Sequence, residues 1–239
     1  MIYVSTHAGK LHEHSEDSVI VGTEVISDKS GTYTVPDCGF ICVADGVGGI
    51  SGGAVASRFI LEKLASHETD TDLKAYLSAI NDELILSAKS TDSPDMASTL
   101  TGFFYSDNRT ALVHIGNTRA YVRQGKYLKQ ITSDHTTYNW LKSSGQTDAA
   151  EYCNRNEITN CFGGGNPSLF SKIFTEEQPH FAEALLTSDG VHEYVDIDTL
   201  EDIMNSEANY EEKCEMIIQK ALDADSSDDM TIVIIINDK

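Results

Sequence analysis

The stretch on which the fold depends runs from Phe40 to Gly53 and reads Phe-Ile-Cys-Val-Ala-Asp-Gly-Val-Gly-Gly-Ile-Ser-Gly-Gly. Its first five residues favour a buried strand, which ends at the acid Asp45. Several glycines follow within 46–53. From Ala54 onward, apolar residues recur at the spacing that is typical of a helix. Because a carboxylate at such a turn repels a bare phosphate, the pattern favours a cation that in turn binds phosphate.

The composition limits the class of protein. A chain of 239 residues is large enough for one well-packed domain, which we expect to span 1–239. The net charge of -21 argues against nucleic acid or an anionic membrane as a partner. The first residues lack the pattern of a leader peptide, and the five cysteines form no C-x-x-C pair. We therefore expect a cytoplasmic protein with reduced thiols.

Periodicity along the chain predicts alternating blocks of strands and helices. Strands are predicted at 2–6, 18–26, 39–44, 98–105, 110–115, 119–123, 127–131, 172–175, 183–187 and 230–236. Helices are predicted at 53–66, 73–87, 133–143, 196–205 and 210–224. The segment 27–36 is typical of a hairpin turn, and the strands within 98–131 of an antiparallel meander. This order predicts an α+β fold in which helices cover packed sheets.

Acids recur where predicted strands begin or end. Asp45 and Asp189 each follow a strand, Asp228 lies just before the last strand, and Glu16 and Asp17 lead into another. Each acid alone is typical of a turn or cap. If these strand ends meet at one edge, however, the carboxylates require compensation, which two divalent hard cations provide.

Eight motifs in order resemble the PPM-type, metal-dependent serine/threonine protein phosphatases (type 2C) in their compact bacterial form. They are Gly-Lys-Leu to Ser-Glu-Asp-Ser at 9–18, Ala-Asp-Gly-Val-Gly-Gly at 44–49, Met-Ala-Ser-Thr-Leu-Thr at 96–101, His-Ile-Gly-Asn-Thr-Arg-Ala-Tyr at 114–121, Gln-Ile-Thr-Ser-Asp-His at 130–135, Ile-Thr-Asn to Gly at 158–163, Leu-Leu-Thr-Ser-Asp-Gly at 185–190 and Asp-Asp-Met-Thr at 228–231. The resemblance implies a four-layer α-β-β-α sandwich of two antiparallel sheets flanked by helices. It also implies a flap at about 133–157 beside the site.

The resemblance implies a hydrolase with two metal ions, usually Mg²⁺ or Mn²⁺, at one end of the sandwich, which acts on phosphoserine and phosphothreonine. In that pattern Asp45 bridges both cations, the Gly46 carbonyl ligates one of them, and Asp189 and Asp228 hold the other. A water that bridges the two cations attacks phosphorus directly, without a covalent intermediate.

Glu16 and Asp17 correspond to residues that order metal-bound water. The implied partner is a phosphoprotein, plausibly a serine/threonine kinase or its target.

Four positions depart from the family pattern. His12 stands where an arginine commonly contacts phosphate, and Ser15 where an asparagine is usual. Asn117 replaces an aspartate that helps to hold a third metal, so the sequence predicts a weakened third site. Asp229 replaces an asparagine. We expect activity with weaker phosphate binding or a stronger need for metal, because imidazole is a poorer phosphate anchor than guanidinium.

Two alternative functions are consistent with parts of the sequence. His12 and Asn117 motivate a pseudophosphatase, which binds a phosphoprotein or regulator without turnover. The G-x-S-x-G pattern at 49–53, followed by Asp189 and His192, matches the chain order of a serine hydrolase, although the serine does not directly follow its strand. Outside these patterns, Trp140 is interpreted as a packing residue.

Overall fold

The computed structural model describes residues 1–10, 12–47, 52–67, 72–106, 109–165, 167–170, 172–178 and 180–237. The strands are β1 Ile2–His7, β2 Ser18–Gly22, β3 Glu24–Ile26, β4 Ser30–Tyr33, β5 Gly39–Ala44, β6 Gly46–Val47, β7 Ala97–Ser98, β8 Leu100–Ser106, β9 Arg109–Ile115, β10 Arg119–Gln124, β11 Tyr127–Gln130, β12 Phe162–Gly163, β13 Phe174–Gln178, β14 Glu183–Thr187 and β15 Met230–Ile236. The helices are α1 Gly52–Leu64, α2 Leu73–Ala88, α3 Thr137–Ser143, α4 Thr147–Ala150, α5 Asp189–His192, α6 Ile197–Asn205 and α7 Tyr210–Asp223, with a 3₁₀ turn at Pro167–Leu169.

The strands form two large antiparallel sheets. The first sheet has the strand order β11-β10-β14-β15-β1-β4, and the second has the order β13-β9-β8-β5-β2-β3. Strands β12, β7 and β6 make a small third sheet beside them. Helices α1 and α2 cover the second sheet, and α6 and α7 cover the first. The expected four-layer α-β-β-α sandwich is therefore confirmed.

The core forms because the central strands are apolar on both faces. In β15, Val233 and Ile235 pack between the sheets, whereas Ile232 and Ile234 pack under α6 and α7. All four side chains are fully buried. Because alternate strand residues point to opposite faces, a continuous apolar run suits a strand that is covered on both sides.

The register of the strands brings their acidic ends to one edge. Ser18, the first residue of β2, pairs with Ala44, the last of β5. In the other sheet, Thr187 at the end of β14 pairs with Ile232 near the start of β15. Asp17, Asp45, Asp189 and Asp228 follow or precede these strand ends directly or within two residues. The two sheets thus deliver carboxylates to the same end of the sandwich.

Several local predictions were wrong. The chain divides 18–26 into the hairpin β2–β3, and residues 30–33 within 27–36 form β4, which pairs with β1. The meander prediction fails because the chain leaves the second sheet after β9 and enters the first at β10. The helix predicted from 133 begins only at α3, since Thr136 has an extended backbone and its side chain accepts a hydrogen bond from the Asn139 N–H as the N-cap.

Two further predictions concern single residue types. Trp140 is not a packing residue, since 59% of its surface is exposed. The five cysteines are free thiols, as expected. The predicted turn at 107–108 and most of the G-x-S-x-G segment, 49–51, lie outside the described residues.

Candidate metal centre

Asp45 is fixed at the end of β5 by a threonine on the neighbouring strand segment. The Asp45 N–H donates to Oγ1 of Thr99 at 3.0 Å, and the Thr99 N–H donates to the Asp45 carbonyl at 2.9 Å. Oγ1 of Thr99 also lies 2.7 Å from Oγ1 of Thr118. Since both backbone groups of Asp45 are satisfied, its carboxylate is presented from a rigid support.

Gly46 permits a close approach of three chain segments. A Cβ at this position would overlap the Gly53 carbonyl and would lie 2.7 Å from the Glu16 carbonyl oxygen. The Glu16 carboxylate in turn accepts the backbone N–H groups of Gly53 and Ala54, at the start of α1. Ser57 Oγ donates to the Glu16 carbonyl at 2.6 Å. Glycine at 46 is therefore required by space, and Glu16 is held on a helix N-terminus.

Asp229 organises the loop that carries His12 and Glu16. Its Oδ1 accepts the Gly9 N–H at 2.7 Å, and its Oδ2 accepts the Glu16 N–H at 2.6 Å. Oδ2 also lies 3.0 Å from Nδ1 of His12. Burial lowers the pKa of His12, but the hydrogen bond and charge of Asp229 outweigh it and raise that pKa overall. His12 thus has a counter-charge from a residue that is itself buried.

Asp189 and Asp228 are positioned by the junction of β14 and β15. The Ser188 N–H donates to the Thr231 carbonyl at 3.0 Å, and the Thr231 N–H donates to Ser188 Oγ at 2.9 Å. Oδ2 of Asp189 accepts a 3.0 Å hydrogen bond from the amide of Asn117. Oδ1 of Asp228 accepts the N–H of the next residue at 2.9 Å.

The carboxylates perturb one another strongly. Burial, and then the charges of Asp189, Asp17 and Asp228, raise the pKa of Asp45 well above its ordinary value. Burial and the charge of Asp228 raise the pKa of Asp189 to about 6. Asp17, which is 1% exposed, also has a raised pKa, first because it is buried and then because Asp229 and Asp189 are negative. The cluster is consequently costly in free energy as long as it is uncompensated.

The described residues fit divalent cations by their chemistry. Oδ2 of Asp17 and Oδ1 of Asn117 are buried without a hydrogen-bond partner, and both are hard oxygen donors. Within the described ranges no three His, Cys, Asp or Glu side chains already surround a single point. Asp45 and Asp189 instead hydrogen-bond to each other. Binding of cations would place positive charge among these carboxylates.

The serine-hydrolase arrangement is not formed by the residues that can be described. Nδ1 of His192 lies 2.8 Å from Oγ1 of Thr187, and its Nε2 is buried without a partner. Its pKa is lowered well below the ordinary value, chiefly by burial. Ser51, the proposed nucleophile of that alternative, lies outside the described residues. This histidine therefore bonds to a threonine where a triad would require Asp189.

Thr99 and Ser57 contribute to the site but were given no role from the sequence. Both are fully buried hydroxyls that bond to the backbone of acidic residues. Thr99 lies within the motif at 96–101. The motif alone does not indicate that its hydroxyl accepts the Asp45 N–H. A polar residue next to an apolar strand is the only local signal for such a contact.

A four-layer sandwich with an oxygen-rich acidic cluster at one end is the architecture of a metal-dependent hydrolase. The family model described as Protein phosphatase 2C matches residues 17–225, and the chain belongs to that family. The prediction of a phosphoprotein phosphatase is thereby confirmed. No helix among the described residues is long and apolar enough to span a bilayer.

Individual relatives agree with this assignment. The chain is 26% identical to the serine/threonine phosphatase stp of Listeria monocytogenes, over 98% of this chain and 94% of the relative. It superimposes on the crystal structure of Stp1 from Staphylococcus aureus with a TM-score of 0.80 at 23% identity, covering 100% of this chain and 95% of the other. It also matches the catalytic domain of the phosphatase PstP in complex with two manganese ions, with a TM-score of 0.73 at 26% identity and 98% coverage of both chains.

Proposed function

We propose that residues 1–239 form one phosphatase domain that hydrolyses phosphoserine and phosphothreonine in proteins with two divalent cations. The ligands would be the side chains of Asp45, Asp189 and Asp228 and the carbonyl of Gly46. The observation that carries this proposal is the convergence of acids from both sheets, whose pKa values are raised by burial and by one another. Relatives named as serine/threonine phosphatases support the substrate class.

The bound cations would supply positive charge that neutralises the acids and activates water for direct attack on phosphorus. Thr99 holds Asp45 through both the N–H and the carbonyl of Asp45. Asp45 would therefore keep the two cation positions together. Asp17 and Glu16 would accept hydrogen bonds from water in the site and so orient it. Glu16 is well placed for that role because the start of α1 fixes its carboxylate.

His12 would contact the phosphoryl group of the substrate. Its side chain is 38% exposed and its pKa is raised, so it carries positive charge over a wider pH range than an ordinary histidine. Asn117 offers a neutral amide oxygen where a third cation would need charge, and we propose that this third site is weak. Mg²⁺ and Mn²⁺ accept the same oxygen ligands, and we expect both to support turnover.

The substrate is proposed to be a cytoplasmic phosphoprotein, by family resemblance a serine/threonine kinase or its target. Five free thiols suit a reducing compartment.

The proposal is tested by phosphate release from a phosphothreonine peptide in Mn²⁺, in Mg²⁺ and in EDTA. We expect turnover in both metals and none in chelator. Asp45→Ala should lower kcat by more than about 100-fold, since even residues that only support metal ligands cost 10–100-fold. Asp202→Ala, an exposed acid on α6, is the matched control and should behave as wild type. Binding of the peptide without turnover in any metal would favour the pseudophosphatase instead.

A further inference from the structure

A cavity of about 480 Å³ lies between α3 and the loop that leads to β13. Its lining includes Ser133, His135, Asn139, Trp140, Asn160 and Lys172. A second cavity of about 540 Å³ shares His135 and Lys172 with it. Both volumes fall in the range of roughly 300–1,000 Å³ that is usual for ligand sites. The two shared residues therefore stand at the junction of two recesses.

His135 presents a fixed hydrogen-bond donor at this junction. Its Nδ1 accepts the Gly116 N–H at 3.0 Å and lies 3.1 Å from Nδ2 of Asn160. Because Nδ1 is the acceptor for two donors, the proton of the neutral ring must be on Nε2. Burial, then the neighbouring His114 and Lys172, lower the pKa of His135 to about 4, so the ring stays neutral near pH 7. Within the described chain, Nε2 makes no hydrogen bond.

Lys172 supplies a positive charge beside that donor. Asn160 holds its backbone from both sides, since the Lys172 N–H donates to Oδ1 at 3.3 Å and the Lys172 carbonyl accepts Nδ2 at 2.7 Å. No carboxylate of the described ranges forms an ion pair with its ammonium group. Lys172 is exposed and lines both cavities. In a chain with a net charge of -21, such a lysine without an acidic partner among the described residues is complementary to an external anion.

The acid that lines the same cavity is already neutralised. Arg119 donates through Nε to Oδ2 of Asp134 at 3.0 Å and through a second nitrogen to the same oxygen at 2.6 Å. Burial alone would lower the pKa of Arg119, but the bonds and charge of Asp134 raise it overall. Asp134 therefore does not oppose an anion as a free carboxylate would.

The cavity is connected to the candidate metal centre through two consecutive residues, Gly116 and Asn117. Gly116 binds His135 twice, because its carbonyl also accepts the His135 N–H at 2.8 Å. The next residue, Asn117, donates to Asp189. Trp140, 59% exposed, lies at the cavity on the side of α3 and offers a flat face to an extended peptide. Asn117, Gly116 and His135 thus link the cavity to Asp189 by consecutive contacts.

We propose that this cavity binds an anionic side chain of the phosphoprotein substrate, a carboxylate or a second phosphoryl group, through Lys172 Nζ and His135 Nε2–H. The inference rests on the proposed function and gives it a substrate class, namely phosphoproteins with an acidic residue near the phosphorylated one. Lys172 and His135 are then specificity-determining residues that touch substrate away from the reacting phosphorus.

The test uses phosphothreonine peptides in which one glutamate, one phosphoserine or one glutamine is placed in turn at each neighbouring position. Charge-assisted hydrogen bonds contribute more than neutral ones, and they contribute less at an open site than at a buried one. We therefore expect kcat/KM for the acidic peptide to exceed that for the glutamine peptide by about 5–20-fold at one or two positions. In Lys172→Gln this ratio should fall close to one. In Lys220→Gln, an exposed lysine on α7, it should be retained.

p-Nitrophenyl phosphate, which has no peptide, separates the inference from the function on which it rests. If this compound is not hydrolysed in Mn²⁺ or Mg²⁺, the proposed function fails. If it is hydrolysed, a ratio near one at every position of the wild-type series would overturn the anion site, and so would an undiminished ratio in Lys172→Gln. A preference for glutamate that Lys172→Gln removes identifies the ligand as a carboxylate, and one shown only by phosphoserine identifies it as a phosphoryl group.

Discussion

Nδ1 of His12 lies 3.0 Å from Oδ2 of Asp229, so two departures from the family pattern contact each other. The same carboxylate accepts the backbone N–H groups of Gly9 and Glu16. An aspartate therefore provides both the loop contacts and a negative charge that favours the protonated form of the imidazole. An asparagine could accept hydrogen bonds, but it has no charge with which to stabilise an imidazolium. The two departures therefore belong together, because Asp229 supplies the negative charge that the charged form of His12 needs.

This pair predicts the effect of Asp229→Asn on its histidine. The pKa of His12 should fall toward or below 6.5, because the main influence that raises it is lost while burial still lowers it. The check is an NMR titration of the ring proton in metal-free protein. Asp28→Asn, which alters the partner of His14, is the control and should leave the His12 titration unchanged. An unaltered His12 pKa in Asp229→Asn would refute the pairing.

The sign of the associated pH dependence follows from the raised pKa. The pair contributes stability fully below the unfolded value of about 6.5 and loses it as pH rises through the folded pKa. Binding of phosphate by His12 should also weaken as the pH rises.

Gly46→Ala tests the close approach of segments at the metal centre. A Cβ here overlaps the Gly53 backbone, so we expect a loss of at least about 1–3 kcal/mol in unfolding free energy and a large loss of metal affinity. Gly125→Ala is the control, because a Cβ at that turn meets nothing within 4 Å and costs only the strain of a φ of +66°. Urea unfolding with and without Mn²⁺ measures both. Equal effects in the two variants would contradict the packing argument.

Features that depend only on residues of one short segment were predicted well from the sequence. Strands β14 and β15 were predicted with the bounds that the structure has, because both are apolar on two faces and end at turn residues. The grouping of Asp45 and Asp189 followed from their common place after a strand. Features that depend on which sheet a strand joins were not predictable in the same way.

The failed meander illustrates that limit. The turn before β10 contains Gly116, with a φ of +113°, and a Cβ there would overlap the side chain of Thr99. Local turn residues indicate that the chain reverses, but not that it crosses to the opposite sheet. The role of Thr99 could not be predicted for the same reason, because its partner Asp45 is 54 residues away in the chain.

Asn117→Asp should make the protein depend more strongly on metal. The amide of Asn117 lowers the pKa of Asp189, which burial and Asp228 raise to about 6. A carboxylate at 117 would remove that donor and add repulsion, so metal-free stability at neutral pH should fall by about 1–3 kcal/mol. Since the folded pKa of Asp189 is raised, its contribution to stability is lost as pH rises through about 6, and the loss should deepen in the variant.

Two measurements separate the charge at 117 from the lost donor. Urea unfolding in EDTA gives the stability, and a Mn²⁺ titration gives the metal requirement. Asn117→Ala removes the donor without adding charge and should show a smaller loss and no stronger binding of a further cation. Equal behaviour of the two variants would mean that charge at 117 is unimportant.

His114 and His135 should make the fold sensitive to acid. Their rings contact each other in a tilted arrangement with centroids 4.6 Å apart, and burial is the main reason that the pKa of each is lowered to about 4. For a base with a lowered folded pKa, stability is full above the unfolded value of about 6.5 and is lost as pH falls through the folded value. Each buried ring should therefore lower the free energy of unfolding by about 3 kcal/mol as the pH falls from 6.5 to 4.

His114→Gln removes one of these titrations and keeps a donor and an acceptor for Thr101 and the Ser133 carbonyl. Unfolding of the variant between about pH 6 and pH 4 should take up roughly one proton fewer than wild type. The slope of unfolding free energy against pH, from urea titrations, measures this difference. If His114→Gln keeps the wild-type slope, the ring is already protonated in the folded protein and the interpretation of a neutral histidine pair is wrong.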